Sequence, residues 1–455
     1  MIELEKRGIP TAYFASEEFA RLGRDDSVAL GMSQIPIIMS PHPPKRFTAT
    51  QFRPFADKAL TEVVHVLTTP AKELGEEYRQ KEYPLPKAAV RSRPAFATEG
   101  LEVKGSIASA NRIFYGRGWT DGLPIIPPTR SEVENMLQYT DRDPQEVVAI
   151  FKPRNGKATV EKIAINAVMA GCAPEYFPIV LAAVDAMSDP KFNLAGIIAT
   201  TNPASPLVII NGPVVKQLQV NNGYGLFGSV MRANATIGRA VRLVVLNVAG
   251  AEPGVYDRST FGQAGKYSFC IAENEDENPW EPLHVELGYS KDVSTVTVFG
   301  GASPQNVLDM TSTTAEGILS TMVGNMVATG SNNICTGGGQ PLVVFGPEQA
   351  AVLARDGFDK RKIRDYIYEY ARAMYPAHPI NADHEDLAFT WQDHPIHCVS
   401  NSPDEIVIMV AGGGGSHSSF VASFLDATRA VTRPLALKDG KPVKSVQDFK
   451  TGRHT

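Results

Sequence analysis

The sequence predicts an α/β protein: a small, incomplete parallel-sheet unit over residues 1–95, a linker to about 108, a larger α/β region over 109–440 and a tail over 441–455. Three observations carry this. Short β-branched apolar runs alternate with stretches of helical periodicity. Glycine and proline, 38 and 33 of the 455 residues, punctuate the junctions and so set the turns between elements. A strand-and-turn pattern at 206–213 recurs at 341–347, which points to a partial internal repeat and two pseudo-repeated lobes.

The first unit reads as helix, strand, helix, strand, helix. Residues 3–7 resemble a last helical turn, with Gly8 suited to the left-handed stop. A strand over 11–15, a helix over 17–29 ending at Gly31, a strand over 35–39 and a helix over 54–67 follow. Strands joined by helical crossovers lie parallel. A Rossmann- or flavodoxin-like sheet ordinarily opens with a strand whose C-terminal end carries a functional loop. Here the first helix opens almost at Met1. Two readings stand: a small domain that begins with a helix, or a sheet whose first strand and loop come from another polypeptide. Residues 70–108 are rich in charge, proline and small side chains, and suit a linker across a surface.

In the larger region, a helix over 110–115 stops at Gly116-Arg117-Gly118, and a proline-braced segment runs to Thr129. Thr129 or Ser131 can cap the helix that reaches Leu137. Helical periodicity returns over 160–169 and 176–187. The strands at 206–211 and 341–345 each end in a Gly-Pro turn, and each follows a polar or glycine-rich loop, at 200–202 and 336–340. Residues 405–410, with Gly412 to Gly415 behind them, read as a third strand of this kind. The expectation is a duplicated core with its glycine loops gathered at one edge.

Charge and composition narrow the function. Lys and Arg total 44 against 49 Asp and Glu, without the basic excess of a phosphate-backbone binder, so nucleic acid is not the expected partner. No apolar run reaches the roughly 18 residues of a membrane span, and no apolar region follows the first charges, so the expected compartment is the cytoplasm. Four cysteines are too few for a disulfide-stapled scaffold and read as reduced thiols. The P-loop ending and the strand-linked GxGxxG are both missing, so no nucleotide cofactor is expected.

Chemistry concentrates at Cys270, followed by Glu273 and Glu275, with Trp280, Glu281, His284 and Glu286 close behind. Cys270 is a nucleophile, a redox partner or a soft-metal ligand; the competing reading is a buried strand thiol ahead of an acidic turn. The spacing matches no zinc signature. Glu273 or Glu275 can transfer protons if burial or its neighbour raises a carboxyl pKa. Cys172, just ahead of a helix, is the second candidate thiol, because a helix dipole favours the thiolate there. Arg232, Asn234 and Arg239 open a helix and could clamp a carboxylate or phosphate. Asn211, Gly338, Gly413, Gly414 and His417 complete the expected binding set for a small anionic molecule, since bare glycine amides approach an oxyanion closely. Cys335 precedes a glycine run, and Cys398 follows the histidine-bearing stretch of His378, His384 and His394, readable as a metal loop or as surface histidines.

Several segments resemble the UGSC-motif (seleno)protein family. In the N-terminal unit they are Glu5-Lys6-Arg7-Gly8-Ile9-Pro10-Thr11 and Pro41-His42-Pro43. Further on they are Gly118-Trp119-Thr120-Asp121-Gly122-Leu123-Pro124, residues 161–172 and 232–239, Phe269-Cys270-Ile271-Ala272-Glu273-Asn274-Glu275 and Gly346-Pro347-Glu348, which resemble long members of the family. The resemblance implies the fold above and a redox theme. It also implies a (Sec/Cys)-Gly-Ser-Cys loop ahead of the first helix, a tetrapeptide that this sequence lacks. The leading expectation is therefore the large subunit of a heteromeric, thiol-dependent enzyme of redox or carbon–sulfur chemistry, whose small partner subunit carries the cysteine-containing loop. A Cys/His/Glu metalloenzyme (hydrolase or hydratase) and a non-catalytic scaffold for a small thiol or selenol protein are the alternatives.

Overall fold

The structure, a computed structural model, describes residues 2–451 apart from 17–18, 33, 42–47, 80, 82, 84–99, 229, 329, 337 and 375–395. In the N-terminal unit, β1 (Tyr13–Ser16) and β2 (Ile37–Ser40) pair in parallel, Tyr13 against Ile37 and Ser16 against Ser40. A parallel pair needs a crossover, and the helix Ala20–Ala29 supplies it, with Gly31 at φ +80° just beyond. The next helix starts at Ala49, ahead of the expected 54, because Thr48 and Gln51 form a capping box. Among the described residues this sheet has two strands, and Phe14 of β1 is 53% exposed.

The first part of the expected linker is helical instead. Ala71–Arg79 buries Leu74 and Tyr78 against Val66, because residues four apart share a helix face. Residues 84–99 of that linker and the three histidines of the expected metal loop lie outside the described residues.

In the larger region β3 (Val147–Phe151) and β4 (Gly156–Thr159) form an antiparallel hairpin. Helices Val160–Ala170 and Phe177–Ser188, buried along most of their length, lead toward β5 (Ser205–Asn211). The helix Arg232–Val244 then carries the chain to β6 (Cys270–Ala272), parallel to β5 with Val208 against Cys270. The long β7 (Thr295–Leu308) returns antiparallel to β5.

The same path is then repeated. Helices Ala315–Met326 and Asn332–Cys335 lead to β8 (Leu342–Phe345). Helices Pro347–Arg355 and Lys360–Tyr370 follow, then the antiparallel pair β9 (Arg372–Met374) and β10 (Ile396–Cys398). β11 (Val407–Val410) lies parallel to β8, and β12 (His417–Ser423) returns antiparallel to it. β13 (Val431–Pro434) adds to the first half of β7.

The strand order β11-β8-β12-β7-β5-β6 thus holds one three-strand motif twice, the two copies joined by the antiparallel pair β7 and β12. The repeat is real, but its expected third member has a different place in it. β11 is the counterpart of β6, not another copy of β5 and β8, because it is the parallel strand added after the helical crossover. The glycine loops are not gathered at one edge either. Gly338 precedes β8 and Gly412 follows its parallel neighbour β11, so the two lie at opposite ends of those strands.

β7 is shared between the halves: residues 295–301 pair with β5, and residues from Gly301 to Leu308 pair with β12. The handover falls at Gly300 and Gly301, where a Cβ would come within 2.9 Å of Ile197 and Thr428 or of Val421. Alternation along the strands shows how the halves pack. Leu207, Ile209, Phe299, Leu342, Val344 and Met409 share one buried cluster. Val208, Ile210 and Val298 face one set of helices, and Val343, Phe345 and Ile408 face another. The layers run helix, half-sheet, half-sheet, helix. The expected tail is part of the first core, since Val443, Val446 and Phe449 are buried in it; their apolar side chains outweigh the polar composition around them.

Candidate functional site

The outer strands of the two halves meet at their C-terminal ends. Asn274, just past β6, donates its backbone N–H to the Val410 carbonyl at 2.8 Å, and Gly412 donates to the Asn222 carbonyl at 2.8 Å. Asn222 Nδ2 in turn reaches the Glu273 carbonyl at 3.3 Å. The acidic turn after β6, the glycine loop after β11 and the Asn221–Asn222 segment therefore form one seam.

Glu273 lies in this seam with no solvent exposure. Its Oε2 accepts from Asn211 Nδ2 at 2.5 Å and from the Leu283 N–H at 2.8 Å, and its Oε1 accepts from Asn278 Nδ2 at 2.8 Å. Burial pushes the carboxyl above the ordinary carboxylate range and prevails over Lys360 and the hydrogen bonds, which pull the other way. Glu275 is partly exposed and accepts from the Gly212 N–H at 2.6 Å and from Asn211 Nδ2 at 3.2 Å. One amide, on the last residue of β5, thus serves both carboxyl groups. His284 is fully buried, with Nδ1 3.6 Å from Glu275 Oε1. Burial holds its ring below the ordinary histidine value against the pull of Glu275, and neither ring nitrogen makes a well-formed hydrogen bond. Asn211 Oδ1 and Thr295 Oγ1, on paired residues of β5 and β7, are also buried without partners. Burial thus favours the protonated form of Glu273 beside a second, more accessible carboxyl.

The thiols depart from expectation. Cys270 is buried in β6, and burial raises its thiol pKa well above the ordinary value. Cys172 is buried as well, donates from Sγ to the Thr236 carbonyl at 3.3 Å and is pushed up to about 12. It is not at a helix start: a short turn, Pro174–Tyr176, separates it from the helix at Phe177. Desolvation therefore governs it, and the low-pKa thiolate expected here is overturned. Both residues pack beside the helix Arg232–Val244, since Asn234 Nδ2 also reaches the Cys270 carbonyl at 3.2 Å.

That helix is not the expected clamp. Arg239 makes a bidentate pair with Asp121 at 2.8 and 2.9 Å and reaches the Pro124 carbonyl at 2.9 Å, so it fastens the Trp119–Pro124 region. A largely buried guanidinium needs a fixed counter-charge, and Asp121 is already in place. Arg232 is exposed and spends Nε and Nη2 on the Gly171 carbonyl at 3.1 and 3.0 Å. Asn234 exchanges hydrogen bonds with the Asn221 backbone at 2.7 and 3.0 Å, holding one wall of the seam.

Of the remaining candidates, Asn211, Gly413 and Gly414 belong to the seam. Among the described residues the N–H groups of Gly413 and Gly414 have no partner, and the loop packs against Tyr224 and Glu348. His417 opens β12, exposed, with Nδ1 3.0 Å from Asn306 Oδ1. Gly338 sits away from the seam, its N–H on the Asn333 carbonyl. Sequence reasoning missed Asn222, Asn278 and Lys360. Asn278 lies in a turn with no distinctive spacing, and Lys360, which pairs with Glu286 at 3.0 Å, left no local signal. Among the described residues no three His, Cys, Asp or Glu side chains are grouped to hold a metal ion, so the metalloenzyme alternative gains no ligand set.

Fold and seam together define an α/β protein with a duplicated half-sheet and a buried carboxyl beside a partly exposed one at the junction of its halves. Residues 1–69 match the model of the UGSC family. No curated protein matches the chain. No helix among the described residues is long and apolar enough to cross a membrane.

Proposed function

We propose that this chain is the large subunit of a two-component, thiol-dependent enzyme of the cytoplasm. It supplies acid–base chemistry on a small anionic molecule at the seam, and a small partner subunit supplies the reactive thiol or selenol. The observation that carries this reading is Glu273, a buried carboxyl held above its ordinary pKa beside Glu275 under the shared Asn211 amide. Glu273 is the proton donor and Glu275 the acceptor, while the unpartnered amides of Gly413 and Gly414 receive the oxyanion. The neighbouring thiols, Cys270 and Cys172, are sealed and favoured in their protonated form, which suits a division of labour in which the soft nucleophile comes from another chain. The two-stranded sheet with Phe14 exposed suits a partner that covers this face, because parallel sheets are ordinarily covered on both faces.

Native mass measurement of the tagged chain purified from its own host tests the reading. A small cysteine- or selenocysteine-bearing chain should co-purify and cross-link close to Phe14. A chain that purifies without such a partner overturns the two-component enzyme.

A further inference from the structure

We propose that Cys335 and Cys398 form a reversible disulfide, a redox site away from the carboxyl pair and independent of the function proposed above. Cys335 ends the short helix Asn332–Cys335, Cys398 ends β10, and these two elements pack against each other. Three residues beyond each cysteine the chains touch again: a Cβ on Gly338 would run into the side-chain amide of Asn401. The two thiols therefore sit on neighbouring segments that stay together on both sides of the cysteine positions. Both are free and partly exposed, whereas Cys172 and Cys270 are buried. Cys398 is paired with Arg372 across the β9–β10 ladder, and Arg372 is exposed, with its guanidinium over the Tyr368 ring.

The oxidant is a low-molecular-weight disulfide such as oxidised glutathione. One protein thiolate attacks it, forming a mixed disulfide and releasing one glutathione thiol. The second cysteine displaces the other glutathione, so that two protein S–H bonds and one glutathione S–S bond are replaced by one protein S–S bond and two glutathione thiols. The cross-link ties the Asn332–Cys335 helix to β10 and fixes the Gly338–Gly339 loop, whose two residues take φ +121° and +128°.

The full chain is incubated with oxidised glutathione, digested without reduction and analysed by mass spectrometry. A linked Cys335–Cys398 peptide should form and disappear on treatment with dithiothreitol. In Cys398→Ser a stable glutathione adduct should remain on Cys335, because the resolving thiol is gone. Separate adducts on both cysteines of the unsubstituted chain, a linked peptide that includes Cys172 or Cys270, or no reaction at either residue would each overturn the proposal.

Discussion

The Asn274 N–H meets the Val410 carbonyl at 2.8 Å, joining the turn after β6 to the end of β11, the two outermost strands of the main sheet. These strands are counterparts in the duplicated motif, yet the turns at their C-terminal ends have diverged. After β6 come Glu273 and Glu275; after β11 come four glycines. The carboxyl-bearing turn of one half is thus joined to the glycine loop of the other, and neither half alone contains both.

Glu273 should make stability depend on pH in a definite direction. Its folded pKa lies above the unfolded value of about 4.3. Its contribution is complete below the unfolded pKa and is lost as pH rises through the folded one, at about 1.4 kcal/mol for each pH unit within that window. Urea unfolding of the wild type and Glu273→Gln across this range should show the variant gaining relative stability as pH rises. A difference that stays flat with pH would rule out the buried proton.

The four thiols should separate into two classes. Cys172 and Cys270 are buried with raised pKa, and only the thiolate reacts. Iodoacetamide at neutral pH should modify Cys335 and Cys398 in the native chain and reach the other two only after unfolding. Rapid native labelling of Cys270 would restore it as a nucleophile.

Arg239 should act in folding rather than in ligand binding. Its side chain and that of Asp121 are 16% and 4% exposed, so removing one leaves the other charge nearly buried and alone. Arg239→Ala should cost about 3 kcal/mol, measured by denaturant unfolding. Replacing both with leucine should recover much of that loss, and a double variant no more stable than Arg239→Ala would contradict the assignment.

Gly413 takes an ordinary backbone conformation, but its missing side chain leaves room for the Tyr224 ring. Gly413→Ala should displace that ring, which is 78% exposed and can swing into solvent, and lower stability by no more than about 1 kcal/mol in thermal unfolding. Adding Tyr224→Ala should remove the clash and most of the penalty. Equal penalties with and without the tyrosine would show that the ring does not depend on the glycine.

The N-terminal unit was legible because its signals are local. Apolar runs, the Gly8 and Gly31 stops and the helical crossover all lie within a few residues of the features they specify, and both strands are parallel as expected. The repeated strands before Gly212 and Gly346 were also readable. Their third relative is easily mistaken, because a strand with glycines behind it looks alike whether it begins a repeat or completes one; only pairing with β8 distinguishes them. Among site residues, Glu273, Glu275 and Asn211 were singled out and do meet, while the Asn278 and Leu283 donors to Glu273 come from a turn with no distinctive spacing.

By itself, the sequence determined the α/β class, the duplicated strand signal and the placement of two carboxylates just beyond a strand thiol, because each arises from near-neighbour chemistry and periodicity. The tertiary structure decided which groups are driven toward their protonated form and which charges are already paired. Desolvation of Cys172, Cys270 and Glu273, and the meeting of Asp121 with Arg239, depend on segments far apart in the chain. Solvent exclusion and Coulomb pairing act through space, so they become fixed only once the two halves close on each other.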